Sequence, residues 1–499
     1  MDRATEDPFH EARGAWELLL EVDLRRGRLR RSLTETLRSA IQGGRLPAAT
    51  VLPSSRRLAI DLGVSRGVVT DAYDQLASEG YLAVKPRFAP VVAPVAMVPP
   101  PAPEPPPRRW LFDFSATTPD VGLFPRRAWV RAVERVLRVA PDSALDYGDG
   151  RGRVELRIAL SSYLARVRGV RVDPGRIVVT QGFGHGLDLL CRVLAESSAT
   201  TVAMETPSHP ELWATVRQSG LRLVGCRVDS HGLRANELAG LDSAAVVVAP
   251  AHQFPTGVVM APARRLALVQ WAATNNSLVI EDDYDAEFRY DRTPVGALQG
   301  LDPERVAHIG TASKTLAPGV RLGWMSLPAD LVEKVRIRRV LSDSGSPAID
   351  QLALADLLAT REYERHVVRA RHEYRHRRDR LVRTLARRLS GLVFGGAAAG
   401  MQLLLRLPDQ VDDVAVADVA ASRGIRIRAL SPLHLVPSRE RGLLLGYGRL
   451  PGSRIEDAVT ALSSVLVQAG AVSRSRRRGP ALPTSATSNA WRGTRRPHG

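Results

Sequence analysis

The chain has 499 residues, 44% of them apolar and 24% charged, which is enough to build packed cores and excludes a disordered polymer; at ~150 residues per domain it should hold two to four units. Seventy Lys and Arg against 52 Asp and Glu leave a formal charge of +18, a field that attracts polyanions and discourages cationic partners. Cys191 and Cys226 are the only cysteines and no CxxC or His/Cys cluster occurs, so neither a disulfide-stapled secreted module nor a zinc module finds support.

The opening residues, MDRATEDPFHEAR, are charged and lack the apolar run of a signal peptide, and nowhere do ~18 apolar residues run together. The expectation is a cytoplasmic protein with no membrane span. Residues 16–93 read as three helices and a hairpin. Leu29, Leu33, Leu37, Ala40 and Ile41 share one helical face, and Gly43-Gly44 stops that helix. Ser54 is placed to cap a second helix with Leu58, Ala59 and Leu62 inward. After the Gly63-Val64 turn, Ser65 is placed to cap a third helix, which buries Val68, Val69, Ala72, Tyr73, Leu76 and Ala77 and leaves Arg66, Gly67, Thr70 and Asp71 outward. Two short apolar runs around Lys85-Pro86-Arg87 then suit a wing. Helix, tight turn and second helix form the helix-turn-helix pattern, whose second member enters the major groove by its N-terminal end.

The segment LPSSRRLAIDLGVSRGVVTDAYDQLASEGYL resembles the GntR-type winged helix along its whole length. The resemblance implies double-stranded operator DNA as a partner, with Arg56, Ser65, Arg66, Gly67 and Thr70 at the base edges and phosphates. In the wing, Phe88-Ala89-Pro90 replaces the usual Gly-x-Gly tip, so Lys85 and Arg87 are expected to touch backbone only.

Residues 94–109, PVAMVPPPAPEPPPRR, read as a stiff extended spacer. Residues 110–470 then alternate helical segments with short apolar strands: RIVV, TVAM, LRLVGC, AAVVVAP, SLVIEDD, VAHIG and LGWMSL. Strands buried on both faces argue an α/β fold around a mainly parallel sheet, with chemistry gathered where strands stop. Three features sit there: Asp282 and Asp283, Lys314, and the glycine-rich TQGFGHG. Lys314 is one of only three lysines, with Lys85 and Lys334. A part-buried lysine amine can form a Schiff base, a glycine turn opening a helix presents N–H groups to a phosphate, and an acid can keep a pyridine nitrogen protonated. Together these are the parts of a pyridoxal phosphate site.

TASKTLAPGVRLGW resembles the lysine motif of fold-type I aminotransferases, and PDVGLFP, YGDGRG, HQFPTG and EDDYD match the same family. With the GntR-type N-terminus the chain resembles the MocR-type regulators, a multidomain fold of winged helix-turn-helix plus a fold-type I transferase-like domain with large and small subdomains. The resemblance implies pyridoxal 5'-phosphate as cofactor, bound covalently to Lys314. Asp282 would meet the ring nitrogen and Tyr284 the phenolic oxygen. Gly182, Phe183, Gly184, Thr311, Ser313 and Arg321 would grip the phosphate, and Tyr147 would reach the phosphate in a neighbouring copy of a homodimer. His209 stands where an aromatic usually stacks on the ring, and Phe254 where aminotransferases carry Asn, so a second bond to the phenolic oxygen must come from His252 or Gln253 or be missing. Leu444 stands where aminotransferases carry the arginine for a substrate carboxylate, and neither Arg441 nor Arg449 is in register to replace it.

The leading expectation is therefore a transcription factor sensing vitamin B6, or its adduct with an amine or amino acid; the alternatives are an active aminotransferase with an appended DNA-binding module and a DNA-binding dimer without cofactor. Arg361 to Arg388 reads as a long solvated helix. Its His372 and His376 are spaced as a helical metal pair without a third ligand, and no metal is expected. Residues 471–499 read as a basic disordered tail.

Overall fold

A computed structural model describes residues 29–85, 88–94, 109–291, 295–389, 391–396 and 398–471. Arg87, nearly all of the spacer at 94–109 and nearly all of the basic tail lie outside the described residues. The chain divides into two compact units at Pro107–Arg108.

The first unit holds helices Leu29–Gln42, Ser55–Asp61 and Arg66–Ser78, followed by an antiparallel pair, Leu82–Ala83 with Val91–Val92. Leu33, Leu37 and Ile41 of the first helix interlock with Leu58 of the second and Val69, Tyr73 and Leu76 of the third in one core. Gly63, at φ +63°, makes the turn between the second and third helices in the left-handed region that favours glycine. Ser54 caps as expected, its Oγ accepting from the Arg57 N–H at 3.3 Å. Ser65 does not: it occupies the N-cap position without a side-chain cap. The Val68 N–H that its hydroxyl would accept is already taken by the Ser65 carbonyl at 3.1 Å. Thr70 also departs from the outward reading, being half-buried with its hydroxyl donating back to the Arg66 carbonyl at 3.0 Å.

The second unit is built on an eight-stranded sheet, with β1 Ile177–Thr180, β2 Thr201–Thr206, β3 Arg222–Asp229, β4 Gly232–Leu233, β5 Ala245–Val248, β6 Leu278–Asp283, β7 Val306–Thr311 and β8 Gly323–Ser326. Their order in space is β1-β8-β7-β6-β5-β2-β3-β4. β7, β6, β5, β2 and β3 run parallel, while β8 is antiparallel to both its neighbours and β4 to β3. The apolar runs become interior strands because helices cover both faces. Helix Phe183–Glu196 packs Leu187, Leu190 and Cys191 against Ile280, Ile309 and Met325, and helix Pro262–Thr274 packs Leu268 and Ala272 against Val246 and Val279.

A smaller four-stranded sheet, containing Gln402–Leu407, Arg441–Gly446 and Arg428–Ala429, is covered by helices Glu362–Arg388, Asp413–Ser422 and Ile455–Gln468 around Tyr374, Leu405, Leu445 and Leu462. The large and small subdomains expected from the sequence are both present. No helix among the described residues is long and apolar enough to cross a membrane.

Candidate functional site

The register of three strands assembles the site. Gly323, at the start of β8, lies opposite Thr311 on one side and Thr180 on the other. A Cβ there would stand 2.7 Å from the Gly182 Cα, so only glycine lets the turn after β1 close against the end of β7. Gly182 itself has φ +115° and opens helix Phe183–Glu196, whose first N–H groups and dipole therefore face the same cavity. Thr311 Oγ1 donates to Ser313 Oγ at 3.0 Å and accepts from the Ser313 N–H at 3.1 Å, which fixes the chain just before Lys314.

Around this junction lies a cavity of about 540 Å³ whose lining includes Gly182, Phe183, Gly184, His209, Asp282, Tyr284, Thr311, Ser313, Lys314 and Arg321. All the residues expected around the cofactor are thus gathered on one cavity, Tyr147 excepted. Tyr147 lies elsewhere on the surface with 88% of its area exposed.

Side chains alternate across a strand, so adjacent acids on β6 face opposite ways. Asp282 faces the cavity. Its Oδ1 is shut off from solvent and has no hydrogen-bond partner, while burial and the neighbouring Asp283 charge push its pKa well up. Asp283 faces the covering helices instead, with Arg168 Nε donating to Oδ2 at 2.7 Å and His308 Nε2 at 2.8 Å from the same oxygen. Against burial, the Arg168 guanidinium and the hydrogen bond with His308 hold the Asp283 carboxylate below its ordinary range. Burial likewise depresses the Lys314 amine, although Asp285 and Asp282 oppose the shift. The cavity therefore holds an amine biased toward its neutral, nucleophilic form beside an acceptor oxygen that lacks a donor.

His252 is the residue beside the Tyr284 phenol. Its Nδ1 lies 3.1 Å from the Tyr284 hydroxyl and 2.9 Å from Asp285 Oδ2. Gln253 is committed elsewhere, donating to the Pro207 carbonyl at 2.8 Å and accepting from the Thr256 hydroxyl at 2.6 Å, whereas His252 Nε2 is buried with no hydrogen-bond partner among the described residues, so of the two side chains considered for the cofactor's phenolic oxygen only His252 keeps an uncommitted polar atom. His209 stacks on Phe254, with ring centroids 3.6 Å apart and planes 4° from parallel. Phe254 thus takes one face of the imidazole, and burial lowers the His209 pKa toward the neutral ring.

Leu444 is fully buried, and Arg441 and Arg449 are turned to the Ser438 carbonyl and to Asp113, away from the cavity. What the sequence reading missed is Arg428. It is the cross-strand partner of Leu444 and lines the cavity, with its Nη2 3.4 Å from Glu211 Oε1. Glu211 lines the cavity too. Its carboxyl is held down at about 2, chiefly by His209, whose Nδ1 lies 3.6 Å from Oε2, and further by Arg428. No motif signalled Arg428, because its place on the cavity depends on strand pairing in the small subdomain. Thr117, Gln181 and His185 complete this wall and were also missed.

In the winged-helix unit, Arg56, Ser65, Arg66 and Gly67 are exposed around the start of the third helix. Arg66 Nε lies 3.4 Å from Ser55 Oγ, a loose contact that leaves most of its donors uncommitted. Lys85 is exposed, and Phe88 at the hairpin tip keeps 75% of its area in solvent.

Known proteins resemble both units of the chain. The family described as aminotransferase class I and II matches residues 112–443, and that of bacterial regulatory proteins, gntR family, matches residues 29–92. The pyridoxine biosynthesis transcriptional regulator PdxR of Corynebacterium glutamicum is 34% identical over 83% of this chain and 91% of its own. The probable rhizopine catabolism regulatory protein MocR of Rhizobium meliloti is 30% identical over 88% of this chain and 94% of its own. An archaeal alanine:glyoxylate aminotransferase of known structure superposes with a TM-score of 0.67 at 25% identity, covering 84% of this chain and 96% of that one. The chain belongs to the helix-turn-helix transcriptional regulators that join a GntR-type winged helix to a class I and II aminotransferase domain, the MocR-type architecture.

Proposed function

We propose that the cavity around Lys314 binds pyridoxal 5'-phosphate, and that its occupancy, alone or as an adduct with an amine or amino acid, governs operator binding by the winged-helix unit. The observation that carries this reading is the joint placement, on one cavity, of a pKa-depressed lysine, an acid with an orphaned buried oxygen and a glycine-opened helix start. When bound, the cofactor supplies an electrophilic aldehyde and a ring that acts as an electron sink. Lys314 Nζ would hold the aldehyde carbon, and Asp282 Oδ1 would keep the ring nitrogen protonated. Tyr284 donates to the phenolic oxygen, with His252 fixing the phenol. The N–H groups of Phe183 and Gly184, the Thr311 and Ser313 hydroxyls and the Arg321 guanidinium would hold the phosphate, and His209 would face the ring.

Arg428 favours an effector that carries a carboxylate, because a guanidinium held only by an exposed pair can exchange its partner for a ligand. Arg56, Ser65, Arg66, Thr70 and Lys85 are the contacts to the operator, Thr70 through its methyl group because its hydroxyl is engaged. A homodimer is supported by apolar side chains facing solvent around a cleft of about 650 Å³, among them Val139 at 81% exposure and Ile158. In that dimer Tyr147 reaches the neighbouring copy's cavity.

The test is titration of the purified protein with pyridoxal phosphate, followed by absorbance and by binding to the DNA upstream of its own coding sequence. Saturable colour that Lys314→Ala abolishes, with a parallel change in DNA affinity, is expected. Colour without any change in DNA affinity would overturn the sensing role, and steady release of a keto acid from amino acids would favour the enzyme.

A further inference from the structure

Helix Glu362–Arg388 is the longest in the described residues, and its two faces differ in kind. The inner face buries Tyr363, Val367, Tyr374, Leu381 and Leu385 against the rest of the second unit. The outer face carries Arg365, Arg369, Arg375, Arg383 and Arg387, all exposed, with His372 and His376 between them. At 100° per residue these positions fall within one stripe, and from Arg365 to Arg387 it runs ~33 Å, about one turn of duplex DNA.

The charge on this stripe is not consumed inside the protein. Residues 361–388 contain eleven arginines and four acids, whereas residues 29–94, spanning the winged helix, contain nine basic and five acidic residues. The inward Arg377 is engaged at 2.7 Å with both Asp120 and Glu373. The outward arginines are held more loosely. Arg365 and Arg375 have acids only at 3.9 Å, Arg387 has Glu456 at 3.3 Å, and Arg369 and Arg383 have none within 4 Å among the described residues. Exposed pairs of this kind are weak and exchangeable. Like charges spaced three and four apart disfavour an isolated helix, so the stripe is held by the packing of the opposite face.

We propose that this stripe is a second DNA-contacting surface, which grips the phosphate backbone of duplex flanking the operator without reading its sequence. The row presents guanidiniums along ~33 Å with Asp379 as the one acid inside the stripe, so it offers several donors to the phosphates of a duplex lying across it. The polyanion that the chain already engages through its winged helix is duplex DNA. The stripe adds salt-dependent affinity, while the third helix of the first unit supplies the sequence preference.

The experiment uses the full-length protein and two duplexes of equal length, its own upstream region and an unrelated sequence, with affinity measured across a salt series. The triple change Arg369→Gln, Arg375→Gln, Arg383→Gln is expected to weaken both by the same factor, about 100-fold at 0.1 M salt. It should also reduce the slope of log K against log salt by about 2 to 3, near 0.9 for each lost phosphate contact. Replacing the same three by lysine should restore the slope. A control removing Arg192, Arg217 and Arg234, which lie off the stripe, should leave it unchanged. The proposal is overturned by an unchanged slope in the Gln variant, by an equal loss in the control, by loss of preference for the upstream region, or by dissociation of an oligomer that the wild type forms. All three sites are exposed, so the Gln variant should keep its helical circular dichroism. Should it not, the lysine variant decides: wild-type affinity combined with a wild-type slope at folded stability sustains the surface, and loss of DNA affinity in a folded lysine variant rejects it.

Discussion

Replacing Asp282 by Asn separates what this carboxyl does for the empty protein from what it does for the cofactor. In the protein alone Oδ1 has no partner, and burial with the adjacent Asp283 pushes the carboxyl pKa well up. A raised folded-state pKa means that the folded chain holds a proton which the unfolded chain releases above about pH 4, so Asp282 lowers stability as pH rises from that value toward its folded pKa. The isosteric amide removes this penalty, and the cofactor-free variant should melt at or above the wild-type temperature at pH 7, with its advantage shrinking toward pH 4. Toward pyridoxal phosphate the sign reverses. A charge-assisted hydrogen bond to the ring nitrogen contributes about 1.5–3 kcal/mol, so its loss should weaken binding roughly 10- to 150-fold. Differential scanning fluorimetry with and without the cofactor reads both effects in one experiment, since ligand-linked stabilisation falls with affinity. Unchanged cofactor affinity in Asp282→Asn, or a destabilised empty protein, would refute the assignment of this oxygen to the ring nitrogen.

Further outcomes follow from the same geometry. Because burial depresses the Lys314 amine, its reaction with an aldehyde should set in at lower pH than for a free lysine of pKa 10.5, rising as pH climbs through the depressed value; stopped-flow absorbance against pH checks this, and a profile identical to free lysine would show a solvated amine. Arg428→Ala should leave affinity for pyridoxal phosphate unchanged and weaken capture of amino acids about tenfold relative to their decarboxylated amines, read by the shift in the cofactor's absorbance. Arg66→Ala should weaken binding to the upstream region by ~1 to 3 kcal/mol in a gel-shift series. Equal loss on unrelated DNA would reduce Arg66 to a phosphate contact.

Some of the site was legible because it depends on neighbours in sequence. The Gly182 turn, the Thr311 to Lys314 segment and the Asp282 to Tyr284 strand end are contiguous stretches whose residue types carry their chemistry locally, and all reach one cavity. Local reading fell short where a competing bond was made. Ser65 has the residue type and position of a helix cap, but its own carbonyl holds the donor that its hydroxyl would have accepted. Gln253 looked as available as His252, yet its amide is spent bracing the loop around Phe254.

The sequence by itself determined two units, one a winged helix and the other an α/β layer with its chemistry at strand ends. Apolar periodicity and glycine placement act over a few residues and survive without knowledge of the fold. Tertiary structure alone decided which arginine stands beside Leu444 on the cavity wall. Arg428 comes from a neighbouring strand, and only antiparallel register sets the two side by side and brings Glu211 to meet them. Strand pairing also decided the role of Gly323, whose lack of a side chain matters only because Gly182 closes against it. Contacts between distant segments depend on register, which no single stretch of chain encodes.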